Sequence, residues 1–444
     1  MARKSSKQLK REKLLKQSFK KRGKTLPQKN LPVHQHYVPQ WYQKRFIPNG
    51  NDKYFYLHRS KGNIVLPDGS PNVIEKVSFL PPKKCFVRDN LYTIDLLGAR
   101  DAVIEKHLFG RIDTIGSQSF KAIIEERGWC QKNGIEHWRS FLEFMDAQKL
   151  RTPKGLDWIR QILRLRGKSG VPFFIDHDTV LASMQQIRQM HSTMWTESIW
   201  EVVSAQDAVI KFIISDDPVT IYNHACSPNS AYCRYPLEPL ISLIGTRTIF
   251  PLDLNHCLIL TNRQYALNPD NINPLEERIN PRYFDKAIFN FLGVIRERIL
   301  VNEEVSQINY IIKARASSSV AAGKREWLYP EKTLNTIDWK TFDKVILPPR
   351  DKVVDTHSIF FGHKDGSIEA YDPYGQEIKD PKEFESIKKV KLIIKKKDRN
   401  EHFCHEVADL LNKYDNPNLE QQNNILLDAI EHIFGLTKGI MSQP

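Results

Sequence analysis

The feature that most constrains this chain is the uneven placement of its charge. Residues 1–30, MARKSSKQLKREKLLKQSFKKRGKTLPQKN, hold 12 Lys or Arg and one acid, Glu12, a local balance of +11. The other 444 − 30 = 414 residues hold 66 − 12 = 54 basic and 52 − 1 = 51 acidic side chains, only +3. A dense block of like charge repels itself and cannot enter an apolar core, so residues 1–30 are expected to be a disordered basic arm. Three roles fit it: a solvated tail, a contact to nucleic acid driven by counterion release, or adsorption to an anionic membrane aided by Leu9, Leu14, Leu15 and Phe19. Nucleic acid, reached through residues 1–30, is the partner expected here.

What remains exceeds one typical core, because single cores stop growing at roughly 250 to 300 residues. A main domain over 31–320 and a small C-terminal α+β segment over 325–444 are expected. Six cysteines with no Cys-x-x-Cys pair argue against a disulfide framework and for a reducing compartment. No apolar run reaches the roughly 18 residues of a membrane span, and no signal-peptide pattern opens the chain. A cytoplasmic location is the expectation.

The patterning is mixed, so the fold class expected is α+β, with a helix-rich main domain and short strands. Pro39 suits the start of a short helix in which Trp41 with Arg45, and Tyr42 with Phe46, stand four apart. KYFYLHRSKGNIVL reads as two strands around a Lys61-Gly62-Asn63 turn. Helices are expected over about 102–128, through Trp138, Phe141, Leu142 and Met145 with Gln148 and Thr152 on the same side, over 179–203, and over 281–301. HCLILTN reads as a strand, Lys364-Asp365-Gly366 as a hairpin turn, and 401–414 and 422–434 as closing helices.

Two stretches bear on chemistry. IISDDPV, residues 213–219, ends an apolar strand in Asp216 and Asp217, and Pro218 biases Asp217 toward extended backbone. Carboxylates at a strand tip serve metals or general bases, and Asp-Pro is equally an ordinary turn signal. His36, before a helix start, is placed to remain neutral and accept a proton or a metal, or to serve only structure. His224, Cys226, Cys233, His256 and Cys257 assemble into a zinc site only with an unusual ligand spacing. There is no Walker loop, Gly-x-Gly-x-x-Gly, His-Glu-x-x-His or Gly-x-Ser-x-Gly, which disfavours P-loop motors, Rossmann dehydrogenases, standard zinc proteases and α/β-hydrolases.

The order HYVPQWYQKRF (36–46), DNLYT (89–93), AQKLRTP (147–153), FIISDDPV (212–219) and AIFNFLGVIRERIL (287–300) resembles a widespread family of microbial proteins classed as a domain of unknown function. That family is recognised by His-Tyr-Val-Pro near the start and Ser-Asp-x-Pro-Val near the middle, and the resemblance covers about residues 34–300. It supplies positions, not a reaction: Asp217 stands where other members often carry Asn. Taken together those positions imply a site in which His36, Asp216 and Gln148 are catalytic and Arg45, Arg151 and Tyr37 bind substrate. Asp216, Asp217 and His36 would hold a Mg or Mn ion. The expected function is a hydrolase on a phosphate-bearing substrate, a nuclease or phosphodiesterase, in a setting of defence or toxicity. The alternative is a non-catalytic nucleic-acid-binding or interaction protein whose polar motif residues brace the fold.

Overall fold

The computed structural model describes residues 34–65, 71–96, 99–101, 109–124, 134–166, 177–196, 198–230, 233–278, 294–296, 298–353, 359–362, 368–371 and 392–395. The basic arm, most of the C-terminal segment with its two closing helices, and residues 281–293 of the expected 281–301 helix lie outside the described residues.

The described chain opens with β1 (His34–His36) and a one-turn helix, α1 (Gln40–Lys44), followed by β2 (Tyr54–Val65) and β3 (Pro71–Leu80). Short strands β4 (Val87–Asp89), β5 (Ile94–Leu96) and β6 (Ala99–Asp101) lead into four helices, α2 (Gly110–Ile124), α3 (Gly134–Leu150), α4 (Pro153–Arg166) and α5 (His177–Thr196). Strands β7 (Ser198–Ser204), β8 (Ile214–Ser215), β9 (Thr220–Tyr222), β10 (Arg247–Pro251) and β11 (His256–Asn262) follow, then α6 (Arg263–Leu267), α7 (Asn302–Arg315), β12 (Ser319–Ala322) and α8 (Asp343–Ile346). Beyond them β13 (Ile359–Gly362), β14 (Ile368–Tyr371) and β15 (Leu392–Lys395) form a sheet of their own, in the order β14-β13-β15. The fold is α+β.

Two four-stranded antiparallel sheets frame the domain, in the orders β7-β11-β10-β9 and β3-β2-β12-β8. β8 carries the SDDPV stretch to an edge of the second sheet, where Ile214 pairs with Ala321 and Ser215 with Val320. Among the described residues β1 pairs only with β4, which fixes His36 opposite Val87.

The core is aromatic. Tyr42 on the first helix and Phe46 just beyond its end meet at 5.4 Å, and Trp41, Phe120, Phe144 and Phe250 close around them. Each such buried ring stabilises the fold by roughly 1.5 to 3 kcal/mol through removal from water. Trp138, Phe141, Leu142 and Met145 are buried on one face of α3, as their spacing requires. The crossing of α2 on α3 depends on Gly116, where a Cβ would stand 2.8 Å from the Phe144 ring.

Four expectations change. Lys61-Gly62-Asn63 is not a turn: the strand runs on to Val65, with its register against β3 interrupted between Lys61 and Val65. A glycine inside a strand marks such an irregularity as readily as a reversal. The helix expected to reach 203 stops at Thr196, and Ser198–Ser204 pairs with β11, because the branched run Ile199, Val202 and Val203 fits a pleated buried sheet. The described end of the 281–301 helix is extended: Ile295 and Ile299 bridge in parallel to Glu201 and Ser204 of β7. The main core also runs past residue 320, taking in Trp327, Leu328, Trp339, Phe342 and Ile346.

Candidate functional site

Apart from Gln148 and Arg151, the expected site residues stand in separate hydrogen-bond systems, and each directs polar atoms to the protein itself. His36, partly buried, directs Nε2 to the Lys83 carbonyl at 3.2 Å. Burial lowers its pKa, with the backbone bonds opposing that shift. Tyr37 is a core residue: its ring packs edge-on to Phe86, and burial raises its phenol pKa well above 10. Arg45 donates from Nε to the Leu252 carbonyl at 2.8 Å and from Nη2 to Asp253 at 3.3 Å, pinning α1 to the turn between β10 and β11.

Gln148 and Arg151 do come together. The Gln148 amide donates to the Tyr37 carbonyl at 2.9 Å, while its Oε1 accepts from Arg151 Nε at 2.9 Å and Nη2 at 2.5 Å. Arg151 also donates to Asp113 at 2.8 Å, lies between the Phe109 and Phe144 rings, and offers its carbonyl to the Tyr92 hydroxyl. With Arg151 only 1 % exposed, this is a brace tying α2, α3 and the segment after β1 together, with no face left for a substrate.

Asp216 is buried and accepts four hydrogen bonds: Ser317 N–H to Oδ1 at 2.8 Å, and to Oδ2 the Ser318 N–H at 2.7 Å, the Ser318 hydroxyl at 2.9 Å and the Ser319 N–H at 2.9 Å. It clamps the entry to β12. Burial raises its pKa, against the pull of the Ser318 and Ser317 donors. Asp217 points elsewhere, as alternation along an extended chain requires. It receives Lys154 Nζ at 2.7 Å and Lys149 Nζ at 3.3 Å. The proposed grouping of Asp216, Asp217 and His36 around a metal is therefore corrected: among the described residues no three or more His, Cys, Asp or Glu side chains could hold one. The zinc candidates are likewise dispersed, His224 on Asp343, His256 on Asp253, and Cys257 inside β11.

Asp217 leads to a cluster that no local motif announced. Lys149 and Lys154 bracket the turn between α3 and α4, and both reach Glu238, at 2.7 Å and 3.2 Å. Gly155 permits this tight turn, since a Cβ there would lie 2.5 Å from the Lys149 carbonyl oxygen. Burial alone would raise the Glu238 carboxyl, yet Lys149 and Lys154 bring it down to about 2. Burial alone would lower the Lys154 ammonium, and Asp217 with Glu238 lift it to about 12. Glu238 and Lys154 thus hold each other in their charged forms.

Beside them lies a small recess lined by Lys149, Lys154, Trp158, His191, Pro236 and Glu238, among others. His191 Nδ1 lies 3.4 Å from buried Asp146, which also receives Arg188 Nε at 2.8 Å. Its ring stacks on Trp195 and tilts against Trp158. Lys149 was within reach of a sequence reading, sitting between Gln148 and Arg151 in the chain. His191, Asp146 and Glu238 come from separate elements and carried no shared spacing.

Among the described residues no helix is long and apolar enough to cross a membrane. No curated protein and no solved structure matches the chain. The family described as "Protein of unknown function (DUF4238)" matches residues 34–326, from β1 through the β12 strand that Asp216 clamps. That match spans more than half of the 444 residues, and the chain belongs to this family.

Proposed function

We propose that this is a non-catalytic nucleic-acid-binding protein, in which the basic arm makes the contact and the polar motif residues hold the domain that carries it. One observation supports this reading above all: His36, Arg45, the Gln148–Arg151 pair and Asp216 direct polar atoms to internal partners in separate networks. A catalytic set needs its groups within reach of one reacting atom. Twelve cations in 30 residues supply the sequence-independent attraction to phosphates that such binding requires. A reducing, intracellular setting belongs to the same proposal; Cys85, Cys226, Cys233 and Cys257 are free thiols.

The second reading is the hydrolase on a phosphate-bearing substrate. The observation in its favour is the recess, where His191 Nδ1 lies 3.4 Å from the Asp146 carboxylate. On that reading His191 and Asp146, and not His36 and Asp216, act on the substrate.

Labelled DNA and RNA incubated with wild type and with His191→Ala, with Mg²⁺, with Mn²⁺ and with chelator, test the choice. The binding reading expects retention without cleavage in every lane. Cleavage by wild type that His191→Ala abolishes would overturn it in favour of the hydrolase.

A further inference from the structure

We propose that Lys83, Lys84 and Arg88 form the folded half of the nucleic-acid interface, a fixed group of cations beside the point where the basic arm joins the fold. This inference rests on the binding reading above and gives it a second, structured contact surface.

The topology brings these residues to the arm. β1 begins at His34, four residues after the arm ends, and pairs with β4 so that Gln35 stands opposite Arg88. Lys83 and Lys84 close the single turn Pro82–Lys84 that precedes β4, and the Lys83 carbonyl meets His36 Nε2 at 3.2 Å. A chain spans at most about 3.6 Å per residue, so Lys29 of the arm stays within about 22 Å of Gln35. Arm and folded cations therefore reach neighbouring phosphates of one duplex, which carries a charge every ~1.7 Å of its axis.

Charge is left over there. Residues 81–88, PPKKCFVR, hold three cations and no acid, whereas the 414 residues beyond the arm carry only +3 in all. Lys83, Lys84 and Arg88 are exposed, and none has an ion-pair partner among the described residues. Asp89, the next acid in the chain, is taken by His34 at 2.6 Å.

The backbone around β4 holds this surface in place. Phe86 and Asn90, on either side of the strand, are both left-handed, with φ of 50° and 54°. For a bulky residue that conformation is strained, and it persists only where the surroundings fix it. The Phe86 ring is buried against Tyr37 and Tyr56, and its carbonyl accepts from the Tyr37 N–H at 3.1 Å. Arg88 thus stands on a pinned strand and loses less freedom on binding than a cation of the arm. No large apolar side chain between residues 81 and 90 is exposed, so the surface suits a phosphate backbone and not a membrane, which takes up apolar residues.

Fluorescence anisotropy of labelled duplex DNA across a salt series tests this on the full chain. Wild type is compared with a triple variant, Lys83→Gln, Lys84→Gln and Arg88→Gln, and with a second, Lys324→Gln, Lys340→Gln and Lys344→Gln, that removes three exposed cations elsewhere. The first is expected to bind at least tenfold more weakly at low salt, with a log–log salt slope shallower by about 2 to 3, and the second to stay within about twofold of wild type. No binding by wild type would overturn this inference together with the binding reading. Wild-type affinity and slope in the first variant would overturn the inference alone and leave the arm as the contact. Equal losses in the two variants, or a loss confined to binding of phosphatidylserine vesicles, would also overturn it.

Discussion

Asp216 takes both the backbone N–H and the hydroxyl of Ser318, at 2.7 Å and 2.9 Å, on a single carboxylate oxygen. With the Ser317 and Ser319 N–H groups added, the carboxylate fixes three consecutive residues, the last of them the first of β12. Asp216→Asn replaces one acceptor oxygen with an NH2 that faces donors. It should lower stability by about 2 to 4 kcal/mol, the cost of breaking a buried charge-assisted network. Ser318→Ala, which loses one of the four bonds, should cost about 1 kcal/mol. Urea unfolding of the two variants reads the difference, and equal midpoints would contradict the clamp.

Glu238 holds two buried lysines, so its removal leaves positive charge behind. Glu238→Gln should destabilise by about 3 to 5 kcal/mol at neutral pH. The acid limb carries a second signature. The carboxyl sits at about 2 in the fold against an ordinary 4.5, so its contribution is present above 4.5 and is lost as pH falls from there toward 2. In Glu238→Gln that part of the acid-induced loss should vanish from thermal melts taken across this range.

Glu201 gives the opposite slope. Buried on β7 and gripped by Arg298 at 2.8 and 2.9 Å, its carboxyl is pushed up to about 7 by burial, against the pull of that arginine. A folded-state pKa above the unfolded one means that the fold binds the proton more tightly. The contribution is therefore complete below about 4.5 and is lost as pH rises to about 7, on the order of 3 kcal/mol in all. Glu201→Gln should flatten the melting temperature between these limits, and an unchanged slope would contradict the assignment.

Gly116 sets how closely α2 approaches α3. Gly116→Ala places a methyl into the Phe144 ring and should cost about 1 to 3 kcal/mol by overpacking. Adding Phe144→Leu should return part of that loss, a non-additivity that a double-mutant cycle in denaturant measures.

The α3 helix was legible because Trp138, Phe141, Leu142 and Met145 repeat at helical spacing, and β11 because HCLILTN is short, apolar and branched. Lys61-Gly62-Asn63 misled because turn chemistry is local, whereas the long-range pairing of β2 with β3 decides the outcome. The Gln148–Arg151 brace shows the same limit. Polar residues of a brace and of an active site look alike in sequence, and only the partners, here Tyr37 O and Asp113, tell them apart. Asp146, His191 and Glu238 lie on α3, α5 and the loop before β10, so their meeting is a product of tertiary packing.

The central claim is that the arm binds and the motif braces. Binding of a labelled oligonucleotide across a salt series, by wild type and by a chain lacking residues 1–30, tests it most directly. The account predicts that wild-type affinity falls steeply as salt rises, and that removing the 12 cations abolishes most of both the affinity and the slope while the fold is retained. Undiminished binding by the shortened chain, with the same salt dependence, would contradict it.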